Sequence, residues 1–352
     1  METTKTEINK EFPIKLVKEL DKYIVGNDQY KIVLSMAIRD QIFTNKTKSI
    51  LVMGPTGSGK SYMIEVLEKC KTCPKVNYTI MTEAVDDLTE AGVQGKELSD
   101  IFKRYKQKCI KENNDSFRGL IFIDEVDKLI NPSYVSSGGS SEVYNRNAPI
   151  QHQLMKILNG QDIYGVPTKN ILFVLAGAFY QIDEEVLKVS KHISIGFSTD
   201  KAKEDEIVRN ESETVRDKLI KAGMQREFLG RINIIIRLKK LSEKELKTLI
   251  LHPTQGEIAK IKKDFFDDGI VLDFTTDSIN FLVKLAQEED SGGRAVSNVL
   301  EQLLTDAKYM CFKNNYNKII IDKETIEGKG IKYLKEEKKK KKRRWINASF
   351  YI

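Results

Sequence analysis

Ser49-Ile-Leu-Val-Met-Gly54-Pro-Thr-Gly-Ser-Gly-Lys60-Ser61-Tyr62-Met-Ile-Glu-Val-Leu67 is the stretch that decides the fold. An apolar run leads into Gly54-Pro55-Thr56-Gly57-Ser58-Gly59-Lys60-Ser61, which satisfies the pattern GxxxxGK[ST], and Tyr62–Leu67 follows with helical amphipathic spacing. Strand, glycine-rich loop and helix in that order are the context the pattern requires. The glycines let backbone N–H groups approach a phosphate closely, and the helix N-terminus adds positive potential. Lys60 is expected to reach the β- and γ-phosphates of a nucleotide, and Ser61 to hold Mg2+.

A second apolar run, Leu120-Ile-Phe-Ile-Asp124-Glu125, ends in two acids. Alone, such an ending is common and marks a strand-end cap more often than a catalytic pair. Downstream of a phosphate loop it takes on a different meaning. A strand would deliver Asp124 beside that loop to order the Mg2+ shell, leaving Glu125 to polarise water for attack on the γ-phosphate. The two runs together imply a Mg-dependent nucleoside triphosphatase.

Outward from this centre the pattern is that of a parallel sheet in an α/β domain. Short apolar runs at Ile50–Met53, Val76–Ile80, Leu120–Ile123 and Ile171–Leu175 alternate with helix-like segments. Ile232–Leu238 either closes this domain or bridges away from it. Ahead of the first run, Ile14, Val17 and Leu20, then Ile32, Val33, Met36 and Ala37, recur at helical spacing. After residue 240 the spacing predicts helices over Ser242–His252, Gln255–Phe266 and Asp277–Gln287, a short strand at Ile270–Phe274, and a long helix after Ser291-Gly292-Gly293. The expected organisation is a large α/β domain over 1–239, a smaller, mainly α-helical domain over 240–334, and a basic, disordered tail over 335–352. Ser136–Ser141 is expected to be a flexible insert.

With 352 residues, 40% of them hydrophobic and 31% charged, the chain can build real cores, which excludes wholesale disorder. The net charge of +7 is located rather than general. Lys338–Arg344 is an unbroken run of seven basic residues, and the remainder is formally neutral. Such a run is ordinarily solvated, with an interaction arm as the alternative. A neutral body argues against a nucleic-acid motor. No apolar stretch approaches the roughly 20 residues of a membrane-spanning helix. Cys70 and Cys73 have the spacing of half a zinc site, but no second CxxC or HxxxH completes it, so no zinc is expected. The first dozen residues carry Glu2, Glu7 and Glu11 and do not form a leader; a cytoplasmic location is expected.

Arg231 closes Glu227-Phe-Leu-Gly-Arg231 and Arg294 opens the long helix. Either could neutralise transition-state charge on a transferred phosphoryl group, or could be an ordinary surface ion-pair residue.

From about Leu16 to Ile331 the sequence resembles the ClpX branch of the AAA+ ATPases, ring-forming protein unfoldases that feed a separate peptidase. The resemblance is carried by Asp21-Lys-Tyr-Ile-Val-Gly26, the phosphate loop, Leu88-Thr-Glu-Ala-Gly92, Ile121-Phe-Ile-Asp-Glu-Val-Asp-Lys-Leu129, Ile171–Phe179, Glu227–Arg231 and Ser291-Gly-Gly-Arg294. It implies ATP and Mg2+ as ligands, with Gly54 through Tyr62 as the nucleotide-binding loop and Ile24 and Val25 against the adenine. It also implies Arg231 as the arginine finger reaching a neighbouring subunit's ATP, and Arg294 as the residue coupling the small domain to nucleotide. The implied partners are further copies of the chain in a homohexameric ring, protein substrates and a ClpP-type peptidase, docked through Ile195-Gly196-Phe197.

The departures from the family are as informative. The pore loop, Gly-aromatic-hydrophobic-Gly in the family, is here Gly92-Val93-Gln94-Gly95 and has lost its aromatic ring. The Arg-Lys-His pore-entrance loop is absent, as is the N-terminal zinc-binding domain. No polar residue that would serve as sensor 1 stands out near Leu175-Ala176. No HExxH or Ser/His/Asp constellation supplies peptidase chemistry, so proteolysis would need a partner. A nucleotide-switched assembly scaffold that does not thread chains is the main rival, and the missing aromatic favours it.

Overall fold

β1 (Ser49–Met53), β2 (Thr79–Ala84), β3 (Gly119–Asp124), β4 (Ile171–Gly177) and β5 (Ile234–Arg237) form one sheet in the order β5-β1-β4-β3-β2, every neighbouring pair parallel. The computed structural model describes residues 2–74, 76–85, 88–89, 96–130, 134–136, 143–145, 147–180, 182, 214–253, 256–288 and 293–335. Side chains alternate along each strand. Leu51 and Met53 of β1 join Ile121, Ile123, Phe173 and Leu175 on one face, while Ile50 and Val52 join Leu120, Phe122, Leu172 and Val174 on the other. Burial on both faces is why these strands read as unbroken apolar runs rather than as alternating ones.

Helices supply the two outer layers. On one side lie α1 (Glu2–Leu20), α2 (Asp28–Thr44) and α3 (Lys60–Lys69), which bury Leu16, Leu20, Leu34, Ile38, Met63 and Leu67. On the other, α4 (Leu98–Lys111) presents Ile101, Phe102, Tyr105 and Cys109, the 3–4 spacing of a helix face, beside α5 (Ala148–Leu158). Two short helices, α6 (Val215–Lys221) and α7 (Arg226–Leu229), precede β5. Cys70, Cys73 and Cys109 are buried.

Two strand expectations needed the structure. The run Val76–Ile80 predicts a strand, but β2 starts at Thr79, because Asn77 turns through left-handed φ (55°) and leaves Val76 79% exposed. Pairing begins only where Gly119 of β3 meets Thr79. Ile232–Leu238 closes the sheet: β5 runs beside β1 with Ile50 opposite Ile234 and Met53 opposite Arg237. Past Ser136, the insert read at Ser136–Ser141 lies outside the described residues, as does the basic run Lys338–Arg344.

The chain divides into two compact units, Met1–Lys240 and Leu241–Ile352. The second contains α8 (Glu243–Ile250), α9 (Glu257–Asp267), β6 (Val271–Phe274), α10 (Thr276–Glu288), α11 (Gly293–Asn314), β7 (Lys318–Ile321), α12 (Lys323–Ile326) and β8 (Lys332–Leu334). Ser242 opens α8 with a capping box, its hydroxyl accepting from Glu245 N at 3.3 Å while Glu245 Oε2 accepts from Ser242 N at 2.9 Å. Val296, Leu300, Leu304 and Ala307 of α11 form a buried stripe against Leu282, Val283 and Ile319. Helical spacing predicts that stripe, but β7 and β8 escape it. Four-residue and three-residue runs are too short to show a period, although they pair with β6 into a three-stranded sheet.

Among the described residues no helix is long and apolar enough to cross a membrane.

Candidate active site

The ends of three strands converge on Gly54. Its N–H donates to Gly177 O of β4 at 3.2 Å, and a Cβ placed on it would stand 2.9 Å from Leu238 Cβ, just past β5. Beyond it the loop turns through Gly57 (φ 77°) and Gly59 (φ 91°), left-handed conformations that glycine adopts without steric cost. α3 starts at Lys60 directly after Gly59, so the positive end of its helix dipole abuts the loop. The Lys60 side chain is buried, and its Nζ donates to Gly54 O at 2.6 Å and Pro55 O at 2.9 Å. One positive charge is thus held against two carbonyls of a glycine-rich loop, the type of loop whose N–H groups cradle phosphate.

β3 delivers its terminal carboxylate to the first turn of α3. Ser61 Oγ donates to Asp124 Oδ2 at 2.5 Å, and Glu125 N donates to Asp124 Oδ1 at 2.9 Å. A hydroxyl and a carboxylate oxygen in contact suit a hard cation such as Mg2+, which prefers oxygen ligands and keeps several of its waters. The residues present therefore fit the ion the phosphate loop implies. Among the described residues no group of three or more His, Cys, Asp or Glu forms a metal cluster.

Glu125 is turned out of the strand. Its backbone sits at φ 62°, ψ 28°, a strained left-handed setting for a residue with a Cβ, and it starts the 3-10 turn Val126–Leu129. The carboxylate is 43% exposed and pairs with Lys128 Nζ at 3.0 Å. Partners this exposed hold each other weakly, so the carboxylate remains available to water.

Sequence reasoning did not single out three residues that buttress the loop. Asn27 (φ 57°) donates from Nδ2 to Ser58 O at 2.7 Å. Tyr30, fully buried, places its hydroxyl 3.5 Å from Lys60 O; burial first and the Asp124 charge second push that hydroxyl well above its ordinary pKa, so it stays protonated. Tyr180, just beyond β4, reaches the loop at Thr56, whose N–H donates to the Tyr180 hydroxyl at 3.1 Å. The one signal that could have found Tyr180 is its place after the carboxyl end of a parallel strand, where such sheets put ligand-contacting groups.

Asp21–Gly26 is bracketed by buried Lys31, whose Nζ meets Asp21 Oδ1 at 2.7 Å and Asp28 Oδ1 at 3.3 Å. Within it Ile24 is only 4% exposed and belongs to the core beneath α1–α3, while Val25 is half-buried. Of the two, Val25 offers the more open apolar surface.

Arg231 lies at the opposite end of the sheet from Lys60. Its carbonyl accepts from Ser49 Oγ at 2.5 Å, so its backbone is fixed at the amino end of β1, whereas the phosphate loop leaves the carboxyl end. At ~3.3 Å per residue the strand separates these points by about 16 Å, beyond an arginine's reach. The residue is exposed, and its guanidinium has no ion pair among the described residues. Arg294 lies in the first turn of α11, in the second unit. The remaining sequence candidates, Gly92-Val93-Gln94-Gly95 and Ile195-Gly196-Phe197, lie outside the described residues.

Comparison with known proteins agrees with this geometry. The family described as AAA domain (Cdc48 subfamily) matches residues 45–235, more than half of the chain. The ATP-dependent Clp protease ATP-binding subunit ClpX of Treponema denticola is 28% identical over 326 residues, covering 84% of this chain and 76% of its own. The proteins of the same name from Porphyromonas gingivalis (27% identical; 90% and 81% covered) and Borrelia duttonii (26%; 89% and 78%) are similar over nearly the whole chain. The chain therefore belongs to the AAA domain family. Within that family it is a ClpX-like AAA+ ATPase, and it hydrolyses ATP.

Proposed function

We propose that the chain uses ATP to unfold or remodel protein substrates and passes them to a separate ClpP-type peptidase, working as a ring of copies, six by family resemblance. Its large ATPase domain would span 1–239, its small domain 240–334 and a basic tail 335–352. The observation that carries this proposal is the meeting of Lys60, Ser61 and Asp124, with Glu125 adjoining, at the carboxyl ends of a parallel sheet, in a chain similar to ClpX subunits across both units.

Each residue then has a task. The loop N–H groups and Lys60 bind the triphosphate. Ser61 and Asp124 hold Mg2+, which when bound neutralises charge on the phosphate oxygens. Glu125 orients the attacking water and accepts its proton. Arg231, too far from its own chain's loop, serves the ATP of an adjacent subunit, which makes assembly a condition of activity. Arg294 would relay nucleotide state to the small domain, and Ile195-Gly196-Phe197 would dock the peptidase.

The substituted pore loop gives a second proposal its support. Val93 replaces an aromatic ring, and a ring that switches partners without threading chains would not need one. Losing about 50 Å² of apolar contact at ~25 cal/mol per Å² weakens each grip by roughly 1 kcal/mol, tolerable when several subunits hold one substrate. The chain is therefore expected to unfold weakly folded substrates and to stall on stable ones. Val93→Tyr should raise the unfolding rate of a stable fluorescent substrate without a matching rise in ATPase rate. Unfolding that stays undetectable, while a ClpX control succeeds on the same substrate, would transfer the assignment to the scaffold.

A further inference from the structure

Tyr180 sits at the end of an over-determined turn. β4 finishes at Gly177, where a Cβ would stand 2.6 Å from Asp127 Oδ1 and 2.9 Å from Asp127 N, so only glycine lets the 3-10 turn after Glu125 approach this closely. Phe179 then adopts φ 53°, is buried, and donates its N–H to Asp127 Oδ2 at 3.4 Å. Ile182 N donates back to Phe179 O at 3.0 Å. This clamped bend aims the Tyr180 ring across the carboxyl edge of the sheet. Its hydroxyl accepts from Thr56 N at 3.1 Å and shares a second hydrogen bond with Thr56 Oγ1 at 2.8 Å, although the ring is 49% exposed.

We propose that Tyr180 is a positioning residue that holds the phosphate loop in its nucleotide-receiving shape by hydrogen bonding to Thr56. The proposal rests on the assignment of this loop as the nucleotide site. Gly54 to Gly59 contains three glycines, whose freedom must be given up when the loop closes on phosphate. Asn27 fixes one side of it at Ser58, and Tyr180 fixes the other at Thr56. A loop ordered in advance loses less entropy on binding, so the gain appears as nucleotide affinity rather than as a faster chemical step. The same turn joins Asp127, two residues past Glu125, to the loop through the Phe179 N–H, the main chain and the Tyr180 hydroxyl. Sequence alone hides this link, because 124 residues separate Thr56 from Tyr180.

The test compares Tyr180→Phe, which keeps the ring and removes the hydroxyl, with the parent full-length chain. The readouts are the Kd for a fluorescent ADP analogue, KM and kcat for Mg–ATP, and the thermal midpoint without nucleotide. Tyr180→Phe is expected to raise Kd and KM together by about 3- to 10-fold, the scale of one or two lost neutral hydrogen bonds, with kcat and the midpoint little changed. Thr56→Val should weaken binding in the parent, Thr56→Ser should restore it, and Thr56→Val should add little in the Tyr180→Phe background. Unchanged Kd and KM in Tyr180→Phe would overturn the proposal. So would a fall in kcat and midpoint at constant Kd, or full additivity of the two substitutions. A parent chain that fails to bind the ADP analogue would instead refute the nucleotide site itself, and Lys60→Ala calibrates that outcome.

Discussion

Glu125→Gln is expected to bind Mg–ATP like the parent chain and to hydrolyse it about 10²- to 10⁴-fold more slowly, the range for loss of a general base. Lys60→Ala is expected to lose binding altogether. The contrast follows from what the two side chains touch. Lys60 Nζ is buried and bonded to Gly54 O and Pro55 O within the loop that would enclose the phosphates, whereas the Glu125 carboxylate is 43% exposed and pairs with Lys128 Nζ at 3.0 Å. Glutamine is nearly isosteric with glutamate, so the 3-10 turn should persist and only the proton acceptor is removed. Equilibrium binding of a fluorescent nucleotide, read beside single-turnover hydrolysis, separates the two variants. Equal loss of binding in both would overturn the division of labour.

Arg231→Ala is expected to bind ATP and to turn it over up to ~10³-fold more slowly, the scale of a missing arginine finger. The argument is one of position: Ser49 fixes the Arg231 backbone at the far end of β1 from Gly54, so the proposed finger would have to act on the ATP of another copy. Mixing supplies the decisive version. Rings built from Arg231→Ala and Glu125→Gln subunits contain interfaces that join an intact Glu125 to an intact Arg231, and these should recover activity that neither variant shows alone. If mixed rings are confirmed by cross-linking and no ratio restores hydrolysis, Arg231 acts within its own chain or only holds the fold.

The phosphate loop could be read directly because everything it needs is consecutive: an apolar strand, glycines where the backbone turns left-handed, then a helix carrying Lys60 and Ser61. Asp124 and Glu125 were legible for the same reason, since a doubly buried strand announces its own end. Asn27, Tyr30 and Tyr180 were not, because their value comes from backbone atoms 31, 30 and 124 residues away. Glu125 shows the limit within a legible motif. Its role could be proposed from sequence, but its left-handed backbone, with φ at 62°, could not be foreseen there. For Arg231 spacing left two roles open, and the family likeness favoured the finger. Its contact with Ser49 gives that role a physical reason. The early start expected for β2 failed on a single left-handed asparagine, which no apolar count detects.

The most direct measurement follows the fluorescence of a tagged, weakly folded protein mixed with the chain, Mg–ATP and a ClpP-type peptidase, and with each component omitted in turn. Signal should disappear irreversibly only when all three are present, and Glu125→Gln in place of the parent chain should leave it intact. Persistent fluorescence in the complete mixture, while the same preparation hydrolyses ATP, would contradict the proposal that this ATPase unfolds proteins for a peptidase.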